Sequence, residues 1–416
     1  MKRVLFIAYH FPPLAGGGTF RSLKFVKYLP EFGWLPTVIT TNTKNYWAYD
    51  EELLKEVPPE VKIIRAPEID PFYLQILLSK IGLGKLYQKI KDHLLIPDEK
   101  IGWIPFAYWK AARELKYQKY DLIFSTSPTP CAHIIALKLK KKSGISWVAD
   151  YRDLWTLNPE YPFLKNTKNF KRESQTEKII AHLCNAQIHV TKGNLNNIHN
   201  YFNLDTKYLK LIYNGYDPST QVVPIEKKEK DYLRFVYTGT FYGARNPIPI
   251  LNAISEIVKI KPEISDSIRF QFIGKSDIDI DTKATNLEIT NIISHTDNLQ
   301  RSEIDNIYQK TDVSVLIIPC GQNHILTSKI FDYLQIKKPI LAIIPDGEAK
   351  EILQKSNLGY FADPNSPEDI KEQILNLYQL WKTDQLQVKP NIEYIQQFHR
   401  RKLTKQLASV FNSVVK

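Results

Sequence analysis

Short apolar runs rich in β-branched residues alternate with amphipathic segments along most of this 416-residue chain. In the first half the runs are RVLFIAY, PTVITT, VKIIRA, DLIFSTS, SWVADY, AQIHVTK and KLIYNG, and in the second half they are LRFVYTGT, IRFQFIG, LEITNII, VSVLIIP, PILAIIP and LGYFAD. Turn residues bound each run, which predicts β-strands. Strands that alternate with helices form parallel sheets with crossover helices, so the pattern predicts an α/β protein with doubly wound parallel sheets.

The length of the chain and one polar segment predict two domains. Residues 217–231, DPSTQVVPIEKKEKD, are polar, charged and contain prolines, which is typical of a linker. We therefore predict an N-terminal Rossmann-like domain over 1–217 and a C-terminal Rossmann-like domain over 218–391, with a cleft between them. A C-terminal helix over 392–416 is expected to pack back on the first domain.

Hydropathy and cysteine content exclude several classes of protein. No apolar run approaches the length of about 20 residues that spans a bilayer, and the chain enters its first strand without a signal-peptide cleavage region. Cys131, Cys184 and Cys320 are too few and too far apart for a disulfide framework or a zinc site. The sequence predicts a soluble, cytoplasmic protein.

Positive charge is concentrated in the first half of the chain. Residues 1–216 contain 31 Lys and Arg against 19 Asp and Glu, a net of +12, whereas residues 217–416 contain 25 of each. This asymmetry favours an anionic partner, either a membrane surface, a phosphorylated acceptor or nucleic acid; a solvated lysine-rich surface is the alternative. Residues 71–119 mix Leu, Ile, aromatic residues and Lys, which fits either a helix at a membrane interface or an insertion packed on the domain.

Three consecutive glycines follow the first predicted strand. In YHFPPLAGGGTFR, Gly16, Gly17 and Gly18 stand between that strand and a basic amphipathic helix. Glycines allow close approach to the backbone, and a helix N-terminus attracts a phosphate. A tight connection without a ligand explains the loop equally well, and the spacing is not that of the G-x-G-x-x-G dinucleotide motif.

The second half repeats the arrangement of strand, glycine turn and helix. In YTGTFYGAR, Arg245 stands where the helix begins, and its guanidinium could offset the charge of a diphosphate. Lys275 in FIGKSD follows the next strand, at the end where open α/β sheets bind ligands. Two such residues at strand ends of one domain favour binding of an anion; ordinary surface cations are the alternative.

A third stretch of the second half, ILTSKIFDYL, predicts a capped helix. Thr327 or Ser328 can cap this helix, and Lys329 and Asp332 lie in its first turn. Free amides at such an N-terminus would face a phosphate, and Asp332 could accept hydrogen bonds from a ribose diol. An ordinary capped helix with a solvated carboxylate is the alternative.

Charged residues also end the run SWVADY in the first half. Asp150 and Arg152 stand at the carboxyl end of a predicted parallel strand, where charged residues more often have a functional than a structural role. An internal Arg–Asp pair that braces the loop is the alternative. The run SDIDIDT, at 276–282, offers a D-x-D pattern for a metal ion, but its polar setting favours a solvated loop.

These motifs, in this order, resemble those of glycosyltransferase family 4, whose members have the two-domain GT-B fold and transfer a sugar from a nucleotide sugar with retention of configuration. The resemblance covers nearly the whole chain and rests on YHFPPLAGGGTFR, PDEKIGWIPFA, STSPTP, VADYRDLW, LIYNGYD, YTGTFYGAR, SKIFDYLQIKKPILAI and GYFADPNSPEDI. It is nearest to bacterial members that build capsule, exopolysaccharide or lipopolysaccharide.

The resemblance implies roles for the candidate donor-binding residues. The glycine loop 16–18 would approach the diphosphate of the donor, and Arg245 with Lys275 would offset its charge. The family's Glu-x7-Glu motif falls on His324 and Asp332, so Asp332 would contact the ribose. A histidine in place of the first acid implies different contacts to the donor sugar.

The resemblance also implies a front-face mechanism, in which the leaving diphosphate is stabilised electrostatically and helps to deprotonate the acceptor. Asp150, Arg152 and His324 are the candidate catalytic residues, and no metal ion or other cofactor is expected because fixed cations offset the diphosphate charge. The expected partners are a nucleotide-diphosphate sugar, a glycan or lipid-linked acceptor and, peripherally, an anionic membrane, but no nucleic acid. An epimerase or hydrolase on the same fold and a non-catalytic protein that binds anionic surfaces are the alternatives.

Overall fold

The structure, a computed structural model, describes residues 1–71, 76, 78–83, 97–158, 168–217, 232–299, 301–323 and 325–415. The chain divides into two compact units. Unit 1 comprises Met1–Asn214 and Arg400–Lys416, and unit 2 comprises Gly215–His399. The passage from unit 1 to unit 2 falls just before the predicted linker 217–231, which lies outside the described residues except for its first position.

Unit 1 is built on a seven-stranded parallel sheet with the order β3-β2-β1-β4-β5-β6-β7. Its strands are β1 (Lys2–Ala8), β2 (Trp34–Thr41), β3 (Lys62–Ala66), β4 (Leu122–Thr126), β5 (Ser146–Tyr151), β6 (Ala186–His189) and β7 (Leu209–Leu211). Its helices before the passage to unit 2 include α1 (Gly17–Tyr28), α2 (Ile104–Tyr117), α3 (Cys131–Ser143), α4 (Lys168–Leu183) and α5 (Lys192–Phe202). Short 3₁₀ helices occupy Leu29–Phe32, Glu51–Glu56, Ile101–Trp103 and Thr206–Tyr208.

Both faces of the unit 1 sheet are covered, which explains why its strands appear in the sequence as continuous apolar runs. In β1, Leu5 and Ile7 pack into one core, whereas Val4 and Phe6 pack into the core on the other face. This division follows because successive side chains of a strand point to opposite faces. The sheet is therefore the middle layer of three.

Unit 2 has a six-stranded parallel sheet with the order β10-β9-β8-β11-β12-β13. Its strands are β8 (Leu233–Thr238), β9 (Ile268–Ile273), β10 (Ile293–Thr296), β11 (Val313–Ile317), β12 (Ile340–Ile343) and β13 (Gly359–Ala362). Its helices include α6 (Ile248–Ile260), α7 (Ile280–Asn286), α8 (Arg301–Lys310), α9 (Lys329–Ile336), α10 (Glu348–Ser356), α11 (Pro367–Lys382) and α12 (Ile392–Gln396), with a 3₁₀ helix at Pro262–Asp266.

The strand predicted from LEITNII is displaced in the structure. The strand β10 begins only at Ile293, the last residue of that run. Glu288 has a φ of 57°, and the amide of Ile292 donates to the carbonyl of Ile289 at 3.0 Å, so most of the run forms turns. Ile289 and Ile292 are nevertheless buried in the core. Apolar content alone did not distinguish a buried turn from a strand.

The chain ends with α13 (Arg400–Val414), which belongs to unit 1. Leu407 and Phe411 lie on one face of this helix and are fully buried in the unit 1 core. The ring of Phe411 is centred 5.2 Å from that of Trp34 and 5.4 Å from that of Phe124. The return to unit 1 starts at residue 400 rather than at the predicted 392, because α12 belongs to unit 2.

Each sheet has a point at which the strand order reverses direction. It lies between β1 and β4 in unit 1 and between β8 and β11 in unit 2. Connections leave the two strands toward opposite faces at such a point, and the crevice at their carboxyl ends is where open α/β sheets bind ligands. The glycine loop 16–18 comes after β1, and the turn with Arg245 comes after β8. Each predicted glycine turn therefore follows a strand at the reversal point.

The predicted interfacial segment 71–119 is only partly described. Residues 72–75, 77 and 84–96 lie outside the described residues. The helix α2, at the end of the segment, packs Ala107 and Ala111 into the core of unit 1. Among the described residues, no helix combines the length and the apolar character needed to cross a membrane.

The docking of α13 should contribute strongly to the stability of unit 1. We expect Phe411→Ala to lower the free energy of unfolding by about 3–5 kcal/mol, because it leaves a cavity beside two aromatic rings. Tyr117→Ala is the control, since the Tyr117 side chain is 78% exposed. Urea unfolding of the full chain measures both variants, and equal unfolding midpoints for the two would contradict this packing.

Candidate functional site

Unit 2 contains a pocket of about 200 Å³ at the carboxyl ends of β8 and β11. Three stretches of chain converge on it: the end of β8 with the turn that follows, the end of β11 and the beginning of α9. The lining residues are Tyr237, Thr238, Gly239, Thr240, Tyr242, Arg245, Leu316, Ile317, Thr327, Ser328, Lys329 and Tyr333. The pocket therefore lies at the reversal point of the unit 2 sheet.

Arg245 enters this pocket from a tight turn. Tyr242 and Arg245 exchange two backbone hydrogen bonds of 2.9 and 3.1 Å across the turn, in which Gly243 has a φ of 55°. The Arg245 guanidinium lies 5.3 Å from the centre of the Tyr242 ring. Its Nε is buried and has no hydrogen-bond partner among the described residues. A buried donor without a partner is costly, so this guanidinium is suited to an anionic ligand.

The beginning of α9 supplies further donors to the pocket. Ser328 was predicted as a possible cap, but its backbone is already helical, with φ −61° and ψ −21°, and its side chain makes no capping bond. The Thr327 hydroxyl accepts only a long hydrogen bond of 3.5 Å from the Lys329 amide. The Ile330 and Phe331 amides donate to the carbonyls of Thr327 and Ser328 at 3.3 and 3.1 Å. The start of α9 therefore offers an anion the hydroxyl groups of Thr327 and Ser328 and the positive end of the helix dipole.

Two other predicted donor-binding residues are not among those that line the pocket. The carbonyl of Lys275 accepts a hydrogen bond from the Phe241 amide, so its backbone braces the neighbouring turn. Asp332 forms an ion pair with Lys329, with 3.6 Å between Nζ and Oδ2, and its side chain is 17% exposed. His324 lies outside the described residues. The pocket brings together Arg245 with the 327–329 stretch.

The sequence analysis did not identify the buried hydroxyl groups at the pocket. The Thr238 hydroxyl lies 2.6 Å from the Tyr308 hydroxyl, and the Thr238 amide donates to the Tyr333 hydroxyl at 3.2 Å. Burial raises the pKa of Tyr333 to about 12, so this hydroxyl keeps its proton at neutral pH. Tyr333 lies four residues after Lys329, one helical turn along α9. That spacing places both side chains on the same face of the helix and could have predicted that Tyr333 lines the pocket.

In unit 1, the space beside two of the three loop glycines is filled by the protein's own rings. Gly16 has a φ of 97°, and a Cβ atom on it would lie 2.5 Å from the Trp47 indole. A Cβ on Gly18 would lie 2.9 Å from the His10 ring. Only Gly17 has an open side, toward Arg152. Trp47 and His10 thus occupy the Cβ side of two of these glycines, which explains why no larger residue fits there; the approach of a donor diphosphate to the loop stays a prediction.

Asp150 is not available to a substrate. Its side chain is fully buried and accepts hydrogen bonds from Arg21 Nε and Nη2 at 3.0 and 2.7 Å, and from the Thr126 hydroxyl at 2.7 Å. Arg21 also donates to the carbonyls of Ile212 and Tyr213. The expected substrate contact of Asp150 is therefore replaced by an internal Arg–Asp pair, in which the partner is Arg21 and not Arg152.

Arg152 remains at the glycine loop. Its Nη1 donates to the Gly17 carbonyl at 2.8 Å, and its amide donates to the Ser127 hydroxyl at 2.8 Å. Burial, together with the charges of Arg152 and Lys100, lowers the pKa of His10 to about 3. His10 is therefore a neutral imidazole between two cations at neutral pH.

In the described part of the chain, no cluster of three or more His, Cys, Asp or Glu is arranged to hold a metal ion. The D-x-D run has structural roles: Asp277 accepts from the Gly243 amide at 2.9 Å, and Asp279 caps α7 by accepting from the Thr282 amide. The three cysteines, Cys131, Cys184 and Cys320, are free.

Comparisons with known proteins agree with this architecture. A family model described as Glycosyltransferase Family 4 matches residues 15–220, and one described as Glycosyl transferases group 1 matches residues 220–391. No curated protein sequence matches the chain.

Solved structures share the fold along essentially the whole chain. A glycosyltransferase from Rickettsia africae is 15% identical with a TM-score of 0.63, covering 100% of this chain and 99% of that one. Sucrose-phosphate synthase from Thermosynechococcus elongatus is 14% identical with a TM-score of 0.65, covering 99% of each chain. Anabaena HepE, in complex with UDP-glucose, is 14% identical with a TM-score of 0.62, covering 99% of this chain and 100% of that one. At these identities the similarity shows a common fold.

The buried pair of Arg21 and Asp150 should be a stability element of unit 1. We expect Asp150→Ala to lower the free energy of unfolding by about 3–5 kcal/mol, because it leaves the Arg21 charge buried without its partner. The matched control is Asp153→Ala in the same loop, whose side chain is exposed and which should change stability by less than about 0.5 kcal/mol. Urea unfolding would contradict the assignment if both variants were as stable as the unaltered protein.

Proposed function

Because the chain belongs to glycosyltransferase family 4 and has the GT-B fold, we propose that it transfers a hexose from a nucleotide-diphosphate sugar to a glycan or lipid-linked acceptor, with retention of configuration. The two family matches together extend over residues 15–391. The observation that carries the proposal is the unit 2 pocket, in which the buried Nε of Arg245 has no hydrogen-bond partner in the described part of the chain.

The donor diphosphate fits the polar part of this pocket. Arg245 offers a planar fork of donors that matches two phosphate oxygens. Lys329, which also pairs with Asp332 at 3.6 Å, adds an ammonium group. The amides at the start of α9 add the partial positive charge of a helix N-terminus. These groups are fixed before the reaction, so they stabilise the charge that develops on the leaving diphosphate without reorganisation.

A front-face mechanism is the one that these residues favour. The residues lining the pocket include two cations and several hydroxyl groups but no Asp or Glu, so no carboxylate that could form a covalent sugar intermediate is present among them. In the front-face route, the leaving diphosphate oxygen accepts the proton of the acceptor hydroxyl. The sugar bond then forms on the face from which the nucleotide departs, which retains the configuration.

A surface-polysaccharide pathway in a bacterium is the proposed setting. Solved structures with this fold include a lipopolysaccharide outer core galactosyltransferase and WaaG, described as involved in lipopolysaccharide biosynthesis. We place the reaction on the cytoplasmic side of the membrane, in peripheral contact with it. The charge of +12 carried by the first 216 residues favours attraction to anionic headgroups.

Removal of the Arg245 guanidinium should weaken nucleotide binding. A thermal-shift screen of UDP, GDP, ADP and CMP sugars identifies the donor, and titration calorimetry then compares variants. We expect Arg245→Ala to weaken the affinity for the corresponding nucleotide diphosphate more than tenfold, because a charge-assisted bidentate contact is lost. Arg269→Ala is the control, since Arg269 does not line the pocket. An unchanged affinity in Arg245→Ala would remove this residue from the donor site.

The proposed reaction needs no divalent metal ion. We expect the rate of sugar transfer to be unchanged in EDTA, because Arg245, Lys329 and the α9 amides supply the positive charge that a metal ion supplies elsewhere. The measurement is release of the nucleotide diphosphate in EDTA and in Mg²⁺. A loss of turnover in EDTA that Mg²⁺ or Mn²⁺ restores would contradict metal-independent transfer.

A further inference from the structure

An exposed aromatic surface lies beside the glycine loop of unit 1. Trp47 is 73% exposed and Tyr49 is 45% exposed. The Tyr46 ring is centred 5.7 Å from Trp47, 6.5 Å from Tyr49 and 5.7 Å from His10. A group of large aromatic side chains on a protein surface marks a binding site more often than a single exposed aromatic side chain does. We call Tyr46, Trp47 and Tyr49 the aromatic platform.

The backbone holds this platform in place. The Ala15 amide donates to the Ala48 carbonyl at 3.0 Å, and the Asp50 amide donates to the Pro13 carbonyl at 2.8 Å. The Tyr49 hydroxyl donates to the Thr43 carbonyl at 2.9 Å. The Trp47 indole also fits against Gly16, where any side chain would collide with it. The platform is attached to the glycine loop and exposes the indole, so it needs little ordering when a ligand binds.

Polar and cationic groups lie next to the platform. Arg152 Nη1 donates to the Gly17 carbonyl at 2.8 Å, one residue from Gly16, on which the Trp47 indole packs. The charge of Arg152 also acts on His10 and Tyr46. The ammonium group of Lys100 also acts on His10 and lies 5.3 Å from the centre of the Tyr9 ring. Two cations and a polar ring therefore adjoin an exposed apolar surface at the reversal point of the unit 1 sheet.

Nearby acidic groups have partners of their own. Both carboxylate oxygens of Glu68 accept from the Tyr9 hydroxyl, at 2.9 and 2.8 Å. Asp70 accepts from the Asn45 side-chain amide at 2.9 Å. Neither carboxylate forms a direct ion pair with Arg152 or Lys100 in the structure as described. The negative charges of Glu68 and Asp70 remain close to the platform, and the charge of Lys100 also acts on the buried carboxyl of Asp98. Arg152 and Lys100 are therefore the groups at this surface that can contact an anion directly.

We propose that the aromatic platform, together with His10, Arg152 and Lys100, is an acceptor subsite for a pyranose ring that carries a carboxylate or a phosphate. The inference rests on the proposed glycosyl transfer and names the class of its acceptor, an anionic sugar. The C–H face of the pyranose packs on the Trp47 indole, and the anionic group of the sugar lies against Arg152 and Lys100.

His10 has a defined part in this subsite. Its neutral ring can accept a hydrogen bond from a sugar hydroxyl, or donate one, without a change of charge. A group with a pKa of about 3 is too weak a base to remove the proton of an alcohol at neutral pH. The subsite therefore orients the acceptor and leaves proton removal to the donor diphosphate.

The subsite is tested by binding of sugar probes to the full-length protein. Saturation-transfer NMR measures the affinities for glucuronic acid, glucose 6-phosphate and neutral glucose. We expect at least one anionic probe to bind more tightly than glucose. Trp47→Ala should weaken that binding at least fivefold and Trp47→Phe much less, because phenylalanine keeps an aromatic face. Arg152→Gln should reduce the preference for the anionic probe over glucose.

The matched control is Trp109→Ala, a truncation of the same kind in unit 1 at a side chain that is 55% exposed. Its indole lies within 6 Å of Lys110 and Arg113 on α2 and has no place in the proposed subsite. Trp109→Ala should bind the anionic probe as the unaltered protein does. Equal losses in Trp47→Ala and Trp109→Ala would overturn the subsite, as would preserved binding in Trp47→Ala.

Nucleotide binding separates failure of this inference from failure of the proposed function. Trp47→Ala should bind the nucleotide diphosphate of the donor with unchanged affinity, since that pocket belongs to unit 2. A protein that binds the nucleotide but none of the three sugars would overturn the acceptor subsite alone. Binding of phosphatidylglycerol vesicles that is lost in Trp47→Ala, without binding of any sugar, would assign the platform to a lipid surface and also overturn the subsite.

Discussion

The pairing of the first strand of each sheet with two parallel neighbours determines where each unit can bind a ligand. β1 pairs with β2 on one side and β4 on the other, and β8 pairs with β9 and β11 in the same way. The connections from these strands must cross opposite faces of the sheet, which leaves a crevice at their carboxyl ends. The pocket of unit 2 and the aromatic platform of unit 1 are both built from loops at such an end.

The side chains at this common position differ between the two units. In unit 2, the buried Nε of Arg245 has no partner among the described residues, and α9 begins without a strong side-chain cap. In unit 1, Asp150 neutralises Arg21, and two rings fill the space beside the loop glycines. These differences are the reason that we propose diphosphate binding in unit 2 and contact with a sugar ring in unit 1.

The alternation of apolar runs with helical segments was sufficient to predict the fold class, because fully buried parallel strands have a strong pattern. The same pattern wrongly predicted a strand over the whole of LEITNII, where Ile289 and Ile292 are buried but belong to turns. Within the site, Arg245 and the 327–329 stretch line one pocket, since each follows a strand or begins a helix at the same sheet edge. Contacts between segments that are far apart in the sequence could not be predicted from these patterns. The partner of Asp150 lies 129 residues away in the sequence, and Trp47 sits in a loop with no periodicity.

Hydrogen–deuterium exchange with the donor nucleotide tests the central claim, that the unit 2 pocket holds the diphosphate. The protein is compared with and without saturating UDP, GDP or ADP, whichever binds. We predict that exchange slows in the backbone amides of residues 238–245 and 327–333, which surround Arg245 and the start of α9. Slower exchange confined to other parts of the chain, with those two stretches unchanged while the nucleotide is bound, would contradict the account.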